Sequence, residues 1–350
     1  MLPDPDVVRR KETERERKVA RRSTKKKPGA AVISKTMMLV LILCLLTVFT
    51  AGCGGGSSGS ADDAKPAESA EAVDTAKAAD KKDGFETPKF RKATFNKSKA
   101  EGNEEVQVDL SSVSSGYIAL VCNSDARVKL QVIKDEDTYT YDVVMGKTQI
   151  FPLQCGNGSY TIKVMKNIED NKYFELYKCE ANVKLKDKLG PYLRPNQYAD
   201  YTEKSECVKE AADLAKKAKS EQEFVQSVYD FVCKKIDYDK EKAETVQSGY
   251  IPEPDEILKS GKGICFDYSS LAASMLRSQG IPTKIIFGYV APNDLYHAWN
   301  MFYTEETGWT KVEFKVSEKD WSRIDLTFSA NGEDSKFIGD GKNYTDVYQY

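Results

Sequence analysis

The stretch "GKGICFDYSSLAASMLRSQGIP", residues 261–282, places two glycines and a cysteine before a run of helix-compatible residues. Gly280 followed by Pro282 supplies a C-terminal stop. Spacings of three and four bring one group of apolar side chains onto the same side of the helix: Tyr268, Leu271, Ala272, Met275 and Leu276. The pattern predicts a helix that packs this side against a core and begins at or beside Cys265.

A cysteine at the start of a helix lies beside unpaired N–H groups and the positive end of the helix dipole. Both stabilise a thiolate, which is the nucleophilic form of the side chain. Gly261 and Gly263 would let backbone and substrate approach closely, and the Cys265 N–H would help to bind an oxyanion. The alternative is a buried structural cysteine, which is inert.

The only histidine in the chain lies in "DLYHAWNMFY", residues 294–303, a run of strand-forming residues. Alternation places one set of side chains on the same face: Leu295, His297, Trp299 and Met301. Such a sheltered place suits a Cys-His pair, although a lone histidine there is also compatible with a core residue. Asp325, in "WSRIDLTFSA", would be costly in apolar surroundings unless paired, and holding His297 would supply that pairing.

These motifs, with "YIPEPDEILKS" before them, resemble the transglutaminase-like superfamily of papain-type cysteine enzymes over residues 205–330. The resemblance implies a catalytic triad of Cys265, His297 and Asp325. Leu326 stands where the family often has proline, and Glu313 in the intervening "GWTKVEFKV" is an alternative third member.

Two other polar residues lie near the cysteine in the sequence. Asp267 is expected to hydrogen-bond the first helical turn rather than to do chemistry. Tyr250, in "SGYIP", would either offer its hydroxyl to the oxyanion hole or serve in packing.

The sequence before the core predicts an α+β protein in which a small antiparallel β-sandwich precedes the papain-like, transglutaminase-like core. Residues 85–192 contain short alternating runs separated by turn residues, which is typical of a sandwich. The segment "LGPYLRPNQYADY" breaks that pattern and predicts a boundary before the core at 200–335. A helix with a capping box at Ser220 and Glu223 would bury four residues: Phe224, Val228, Phe231 and Val232. Residues 336–350 are a tail to which the pattern assigns no structure.

Residues 1–52 are typical of a targeting segment, with twelve basic and five acidic residues before the apolar run Met37–Thr50. That run is shorter than the roughly 20 residues of a membrane span. "TAGC" resembles a bacterial lipoprotein signal in which Cys53 is lipidated, and an uncleaved signal anchor is the alternative. Residues 53–84, rich in Gly, Ser, Ala and charge, predict a disordered tether. The protein is therefore expected to be exported and anchored to the outer face of the bacterial cytoplasmic membrane.

Charge and composition exclude some classes of ligand. Without residues 1–52 the chain has 40 basic and 49 acidic residues, which disfavours nucleic acid as a partner. Eight cysteines without a Cys-x-x-Cys pair, with a single histidine, disfavour a zinc site, and no loop has the ligand pattern of calcium. We expect no metal and no cofactor. Cys122, Cys155 and Cys179 would form one bridge or remain buried thiols.

The resemblance implies thiol acyl transfer on protein or peptide amides, including those of the cell wall, with cross-linking, deamidation or proteolysis as outcomes. The alternative is a surface-binding module that keeps the fold without turnover and holds its ligand in a groove at Trp299.

Overall fold

The computed structural model describes residues 85–290, 295–312 and 344–350. They form a mixed α and β structure with antiparallel sheets, as the sequence predicts. The described strands are β1 (Ala100–Gly102), β2 (Val106–Asp109), β3 (Tyr117–Cys122), β4 (Val128–Lys134), β5 (Asp137–Asp142), β6 (Gln149–Pro152), β7 (Gly158–Glu169), β8 (Lys172–Val183), β9 (Asp237–Tyr238), β10 (Lys262–Gly263), β11 (Thr283–Val290), β12 (Leu295–Thr304), β13 (Gly308–Val312) and β14 (Tyr344–Gln349).

The region from β1 to β8 forms two four-stranded antiparallel sheets, ordered β1-β2-β3-β6 and β5-β4-β7-β8. Alternation of apolar and polar residues in β4 places Val128, Leu130 and Val132 inside. Buried side chains from both sheets belong to one hydrophobic cluster. Strand β6 has only four residues and ends at Pro152, so its sequence carries little of the alternation that predicts a strand.

Residues at the start of the predicted sandwich region pack against helices instead. The ring of Phe85 stacks on that of Phe224 with 5.1 Å between centroids, and the Phe85 N–H donates to the carbonyl of Ala218. Phe90 lies edge-on to Tyr201. The paired strands therefore begin only at Ala100.

Five α-helices follow within the described residues: α1 (Glu206–Ala215), α2 (Glu221–Lys235), α3 (Lys240–Thr245), α4 (Pro254–Ser260) and α5 (Cys265–Ser278). Helix α2 is capped as predicted, because the Ser220 hydroxyl accepts from the Glu223 N–H at 3.1 Å. The Glu223 carboxylate reaches back to the N–H of Lys219 rather than that of Ser220. Phe224, Val228 and Val232 are buried as predicted, whereas Phe231 is only partly buried.

The core sheet has the order β13-β12-β11-β14, with every described neighbour antiparallel. Strand β14 lies in the segment to which the sequence pattern assigned no structure. It pairs with β11, and the N–H and carbonyl of Tyr350 extend the pairing to Ile285 at 2.8 Å each. Part of the predicted tail therefore adds a strand to the sheet that carries His297.

Aromatic side chains join this sheet to the strands of residues 100–183. The ring of Tyr350 packs against several others: Tyr139, Tyr141, Tyr198 and Phe287. Tyr198 belongs to the segment predicted as a boundary, yet it is buried and also contacts Phe266. The two regions thus share a continuous hydrophobic cluster.

Buried Arg277, near the end of α5, connects three parts of the chain. Its Nε donates to the Thr283 carbonyl at 2.8 Å, its Nη1 to that of Arg194 at 3.2 Å and its Nη2 to that of Tyr350 at 2.9 Å. These hydrogen bonds satisfy a guanidinium that is 2% exposed. These hydrogen bonds fix the start of β11 and the residue that follows β14 against α5, the central helix of the described core.

The targeting segment, the tether and Cys53 lie outside the described residues. None of the helices in the described ranges has the length and apolar character needed to cross a membrane. Cys122, Cys155 and Cys179 are free thiols, so the structure contains no disulfide among these three.

We expect Tyr350→Ala to lower the free energy of unfolding by about 3 kcal/mol, because it empties a buried aromatic site. The matched control is Phe174→Ala, which truncates a side chain that is 43% exposed and should cost less than about 1 kcal/mol. Urea denaturation of the two variants measures the difference. Equal losses would contradict a structural role for the shared aromatic cluster.

Candidate active site

Cys265 is the first residue of α5, and a short parallel pairing leads the chain to it. Gly261 ends α4 in a left-handed conformation, φ +66°. Strand β10 then pairs with β9, with Gly263 opposite Tyr238. The thiol is half-buried at the N-terminus of the central helix, as the sequence predicts.

His297 lies on β12, against which α5 packs. The Asn300 side-chain amide fixes the two elements together, because its Nδ2 donates to the carbonyls of Ser269 on α5 and Lys284 on β11, each at 3.1 Å. This packing brings the imidazole of His297 into hydrogen bonding with the Cys265 thiol. Two of the three predicted triad members therefore meet.

Opposing effects act on the pKa of Cys265. Burial raises it, since desolvation disfavours a thiolate. The positive charge of His297 and its hydrogen bond lower it, as do the backbone N–H groups of Ala298 and Phe266. The lowering effects prevail, so the pKa of the Cys265 thiol lies below its ordinary value. A thiolate paired with an imidazolium is the arrangement that cysteine nucleophiles use.

The third triad member stays a prediction. Asp325 and its alternative Glu313 both lie outside the described residues. The described backbone beside His297 is close-packed at its strand partner Gly288, where a Cβ would lie 2.1 Å from the Thr345 carbonyl oxygen and 2.7 Å from Trp299 Cη2.

The alternative binding function required an open groove at Trp299. The Trp299 side chain is fully buried, and the ammonium of Lys311 lies 4.9 Å from its ring centroid. An indole without exposed surface does not line an open groove. That form of the binding hypothesis is wrong for the described residues, because Trp299 packs into the core sheet.

Asp267 and Tyr250 form hydrogen bonds with one another beside the cysteine. The buried Asp267 carboxylate accepts from the Ile264 N–H at 2.8 Å, so it holds the first helical turn as expected. The Tyr250 hydroxyl donates to Asp267 Oδ1 at 2.6 Å and accepts from Lys242 Nζ at 2.7 Å. The oxyanion role of Tyr250 stays a prediction, and it would require this hydroxyl to leave Asp267.

The sequence analysis missed Lys242 and a second role of Gly263. Lys242 Nζ lies 2.6 Å from Asp267 Oδ2. Lys242 belongs to a short, highly charged helix, and no sequence pattern there predicts an ion pair with a buried carboxylate. Gly263 makes room for the carboxylate, since a Cβ there would lie 2.6 Å from Asp267 Cβ. The Gly-x-Cys-x-Asp spacing was the available signal for this second role.

No group of three or more His, Cys, Asp or Glu side chains in the described ranges lies together in a way that would hold a metal ion. The expectation that the protein needs no metal and no cofactor stays a prediction.

Comparison with known proteins now assigns the class of this domain. Residues 209–314 match the model of the transglutaminase-like superfamily. The chain thus contains a transglutaminase-like domain, which confirms the resemblance seen in the sequence.

Individual relatives cover different shares of the chain. The kyphoscoliosis peptidase of Mus musculus is 30% identical over 104 residues, which is 27% of this chain and 16% of the peptidase. The chain therefore spans about a sixth of the length of that curated relative.

Solved structures are also similar. A Cytophaga hutchinsonii chain provisionally described as a cysteine protease is 16% identical, with a TM-score of 0.33, over 56% of this chain and 78% of its own. Legionella pneumophila LapG is 18% identical, with a TM-score of 0.30, over 40% of this chain and 69% of its own.

The shifted pKa of Cys265 predicts selective alkylation. At pH 7 we expect iodoacetamide to modify Cys265 at least about tenfold faster than Cys155, because only a thiolate reacts and a thiol of lower pKa supplies more of it. Cys155 is a matched internal control, since it is also a half-buried free thiol. Burial, and next the charge of Asp137, raise the pKa of Cys155 to about 11.

Mass spectrometry of peptides after timed alkylation measures both rates in one sample. The ratio of the Cys265 rate to the Cys155 rate should fall as the pH rises toward the pKa of Cys155, since the Cys155 thiolate then accumulates as well. Equal rates for the two cysteines at pH 7 would contradict an activated Cys265.

Proposed function

We propose that this protein is a thiol acyltransferase or hydrolase that acts on protein or peptide amides through Cys265. The observation that carries the proposal is the hydrogen bond between the Cys265 thiol and His297, formed at the N-terminus of the buried helix α5. Members of the transglutaminase-like superfamily are generally cysteine proteases or acyltransferases, which supports this class of reaction.

In the first half-reaction, the Cys265 thiolate attacks the carbonyl carbon of an amide and forms a carbon-sulfur bond. Negative charge moves onto the carbonyl oxygen, where the Cys265 N–H at the helix N-terminus would stabilise it. The imidazolium of His297 gives its proton to the amide nitrogen as the carbon-nitrogen bond breaks. An amine or ammonia leaves, and a thioester on Cys265 remains.

In the second half-reaction, neutral His297 accepts a proton from the incoming nucleophile. Water restores the free enzyme and releases a carboxylic acid, which is proteolysis or deamidation according to the amide attacked. A lysine amine instead gives an isopeptide cross-link. The relative named a peptidase supports hydrolysis as one of these outcomes. The charge of Asp325 on the other side of the imidazole would favour the imidazolium in both steps.

The site of action we propose is the cell surface. A lipid on Cys53, or an uncleaved signal anchor, would hold the protein at the outer face of the cytoplasmic membrane, and residues 53–84 would extend it toward wall-associated protein substrates. The two sheets of residues 100–183 would form a β-sandwich that supports the domain and its ligand. Their common hydrophobic cluster supports this arrangement.

The role of His297 is tested by the pH dependence of alkylation in His297→Ala. Loss of the imidazolium removes the charge and hydrogen bond that lower the Cys265 pKa, while burial continues to raise it. We therefore expect the labelling midpoint to move upward by at least about one pH unit, or tenfold in rate at neutral pH. Release of ammonia or amine from glutamine and peptide substrates should fall below detection.

An unchanged labelling profile in His297→Ala would sink the catalytic proposal and favour a non-catalytic surface-binding module. Thermal unfolding of the same variant separates loss of the imidazole from loss of the fold.

The identity of the acidic partner is tested by comparing Asp325→Asn with Glu313→Gln. Each variant removes one charge and keeps nearly the same shape. We expect Asp325→Asn to lower the rate of amide cleavage by at least about a hundredfold, since an amide orients the imidazole less well and does not stabilise its charge. Glu313→Gln should change that rate by less than about threefold. The reverse order would assign Glu313 as the partner.

A further inference from the structure

A half-buried cation-carboxylate-phenol cluster lies beside the proposed nucleophile: Lys242, Asp267 and Tyr250. Lys242 Nζ lies 2.6 Å from Asp267 Oδ2 and 2.7 Å from the Tyr250 hydroxyl, which itself lies 2.6 Å from Asp267 Oδ1. The Lys242 ammonium is also 4.3 Å from the centroid of the Tyr250 ring. Each member of the cluster therefore contacts both others.

The cluster is built around a carboxylate that has no exposed surface. Asp267 is 0% exposed, whereas the Lys242 side chain is 26% exposed. A charge buried this way is costly unless a counter-ion and hydrogen bonds compensate it. Burial, and next the charge of Asp267, raise the pKa of Tyr250, so its phenol stays protonated and donates to the carboxylate.

Asp267 joins the residues on either side of the nucleophile. It lies two positions after Cys265, and its carboxylate accepts from the N–H of Ile264, one position before Cys265. The helical turn that this bond closes includes Phe266, whose backbone N–H stabilises the thiolate. The carboxylate therefore holds the first turn of α5, which carries the sulfur and one of its hydrogen-bond donors, the Phe266 N–H.

The turn that carries Tyr250 packs against the hydrophobic cluster that includes the sheets of residues 100–183. Gly249 has φ +95°, and a Cβ there would lie 3.1 Å from Arg127 Nη2 and 3.2 Å from Asp142 Oδ2. Arg127 Nε and Asp142 Oδ1 form an ion pair at 2.6 Å. This close packing restricts the turn and, with it, the position from which Tyr250 contacts Asp267.

We propose that Lys242 and Tyr250 are positioning residues that act through Asp267 to keep the Cys265 thiolate formed and aligned with His297. This inference rests on the proposed function. Lys242 offsets a negative charge that would otherwise disfavour a second negative charge on the nearby sulfur. Tyr250 holds Oδ1 of Asp267, so that Oδ2 remains on the Ile264 N–H.

The other described ionisable groups around Cys265 do not obscure a test based on pH. Strand β12 contributes His297 and Tyr296, and β9 contributes Tyr238. Burial raises the pKa of Tyr238 to about 12 and also raises that of Tyr296, so both phenols are neutral near neutral pH. The thiol profile in this range therefore reports His297 and the cluster around Asp267.

The test is the rate of Cys265 alkylation against pH in the full chain, followed by mass spectrometry. We expect Lys242→Met to move the midpoint upward by about one pH unit, which is about a tenfold loss of rate below the midpoint. Lys242→Arg keeps the charge and should recover most of that rate. Lys262→Met is the matched control, because it removes an exposed lysine three residues before Cys265 and should leave the profile unchanged.

Tyr250→Phe removes only the hydroxyl and should shift the midpoint in the same direction by a smaller amount. In an Asp267→Asn background, Lys242→Met should have no further effect on the profile, because the two residues act as one unit. This non-additivity is a result that a merely structural role of Lys242 would not produce. Thermal unfolding of every variant shows whether the fold is retained.

The outcomes separate the inference from the proposed function. If the wild type is labelled fast and depends on His297, but Lys242→Met and Tyr250→Phe match its profile, the positioning role is overturned and the function stands. Equal shifts in Lys242→Met and Lys262→Met would also overturn it, as a general charge effect. Should Lys242→Met fail to fold, an unchanged profile in Tyr250→Phe overturns the inference. Slow labelling of the wild type itself would overturn the proposed function.

Discussion

Burial of α5 on opposite sides is the constraint from which the rest of the described structure follows. Tyr268, Leu271 and Met275 face a cluster of helical side chains, while Phe266 and Ala273 belong to the cluster shared with the sheets. A helix enclosed this way cannot move its N-terminus without disturbing both clusters, because protein interiors are close-packed. The thiol that begins this helix therefore occupies a fixed place relative to β12.

Rigid placement allows weak effects to combine at Cys265. Desolvation opposes the thiolate, and it would keep the thiol protonated if acting alone. The imidazole and two backbone N–H groups overcome this because packing holds them at the sulfur before any substrate arrives. The same low-polarity surroundings that penalise the charge also strengthen the interactions that stabilise it.

The sequence predicts elements whose burial follows a regular period, and it fails where burial depends on partners distant in sequence. The apolar side chains spaced three and four apart in α5, and the alternation of apolar and polar residues in β4, were sufficient to predict a helix and a strand there. Strand β14 was missed because its partner β11 lies more than fifty residues earlier in the sequence. The residues directly before β14 are also rich in turn formers. Lys242 was missed because an ion pair with a buried carboxylate leaves no periodic trace. Cys265 was found because it stands directly before a helix of regular period, and His297 because the only histidine in the chain lies in a run of strand-forming residues.

The aromatic cluster around Tyr350 also bears on how such a protein changes during evolution. Tyr139 and Tyr141 come from one region of the chain, Tyr198 from the connecting segment, and Phe287 and Tyr350 from the core sheet. Exchange of residues 100–183 for an unrelated domain would leave the remaining rings facing water, at a cost set by their apolar area. Recombination at the apparent boundary would therefore cost stability, and this cost favours inheritance of the sheets and the cysteine-bearing domain as a pair.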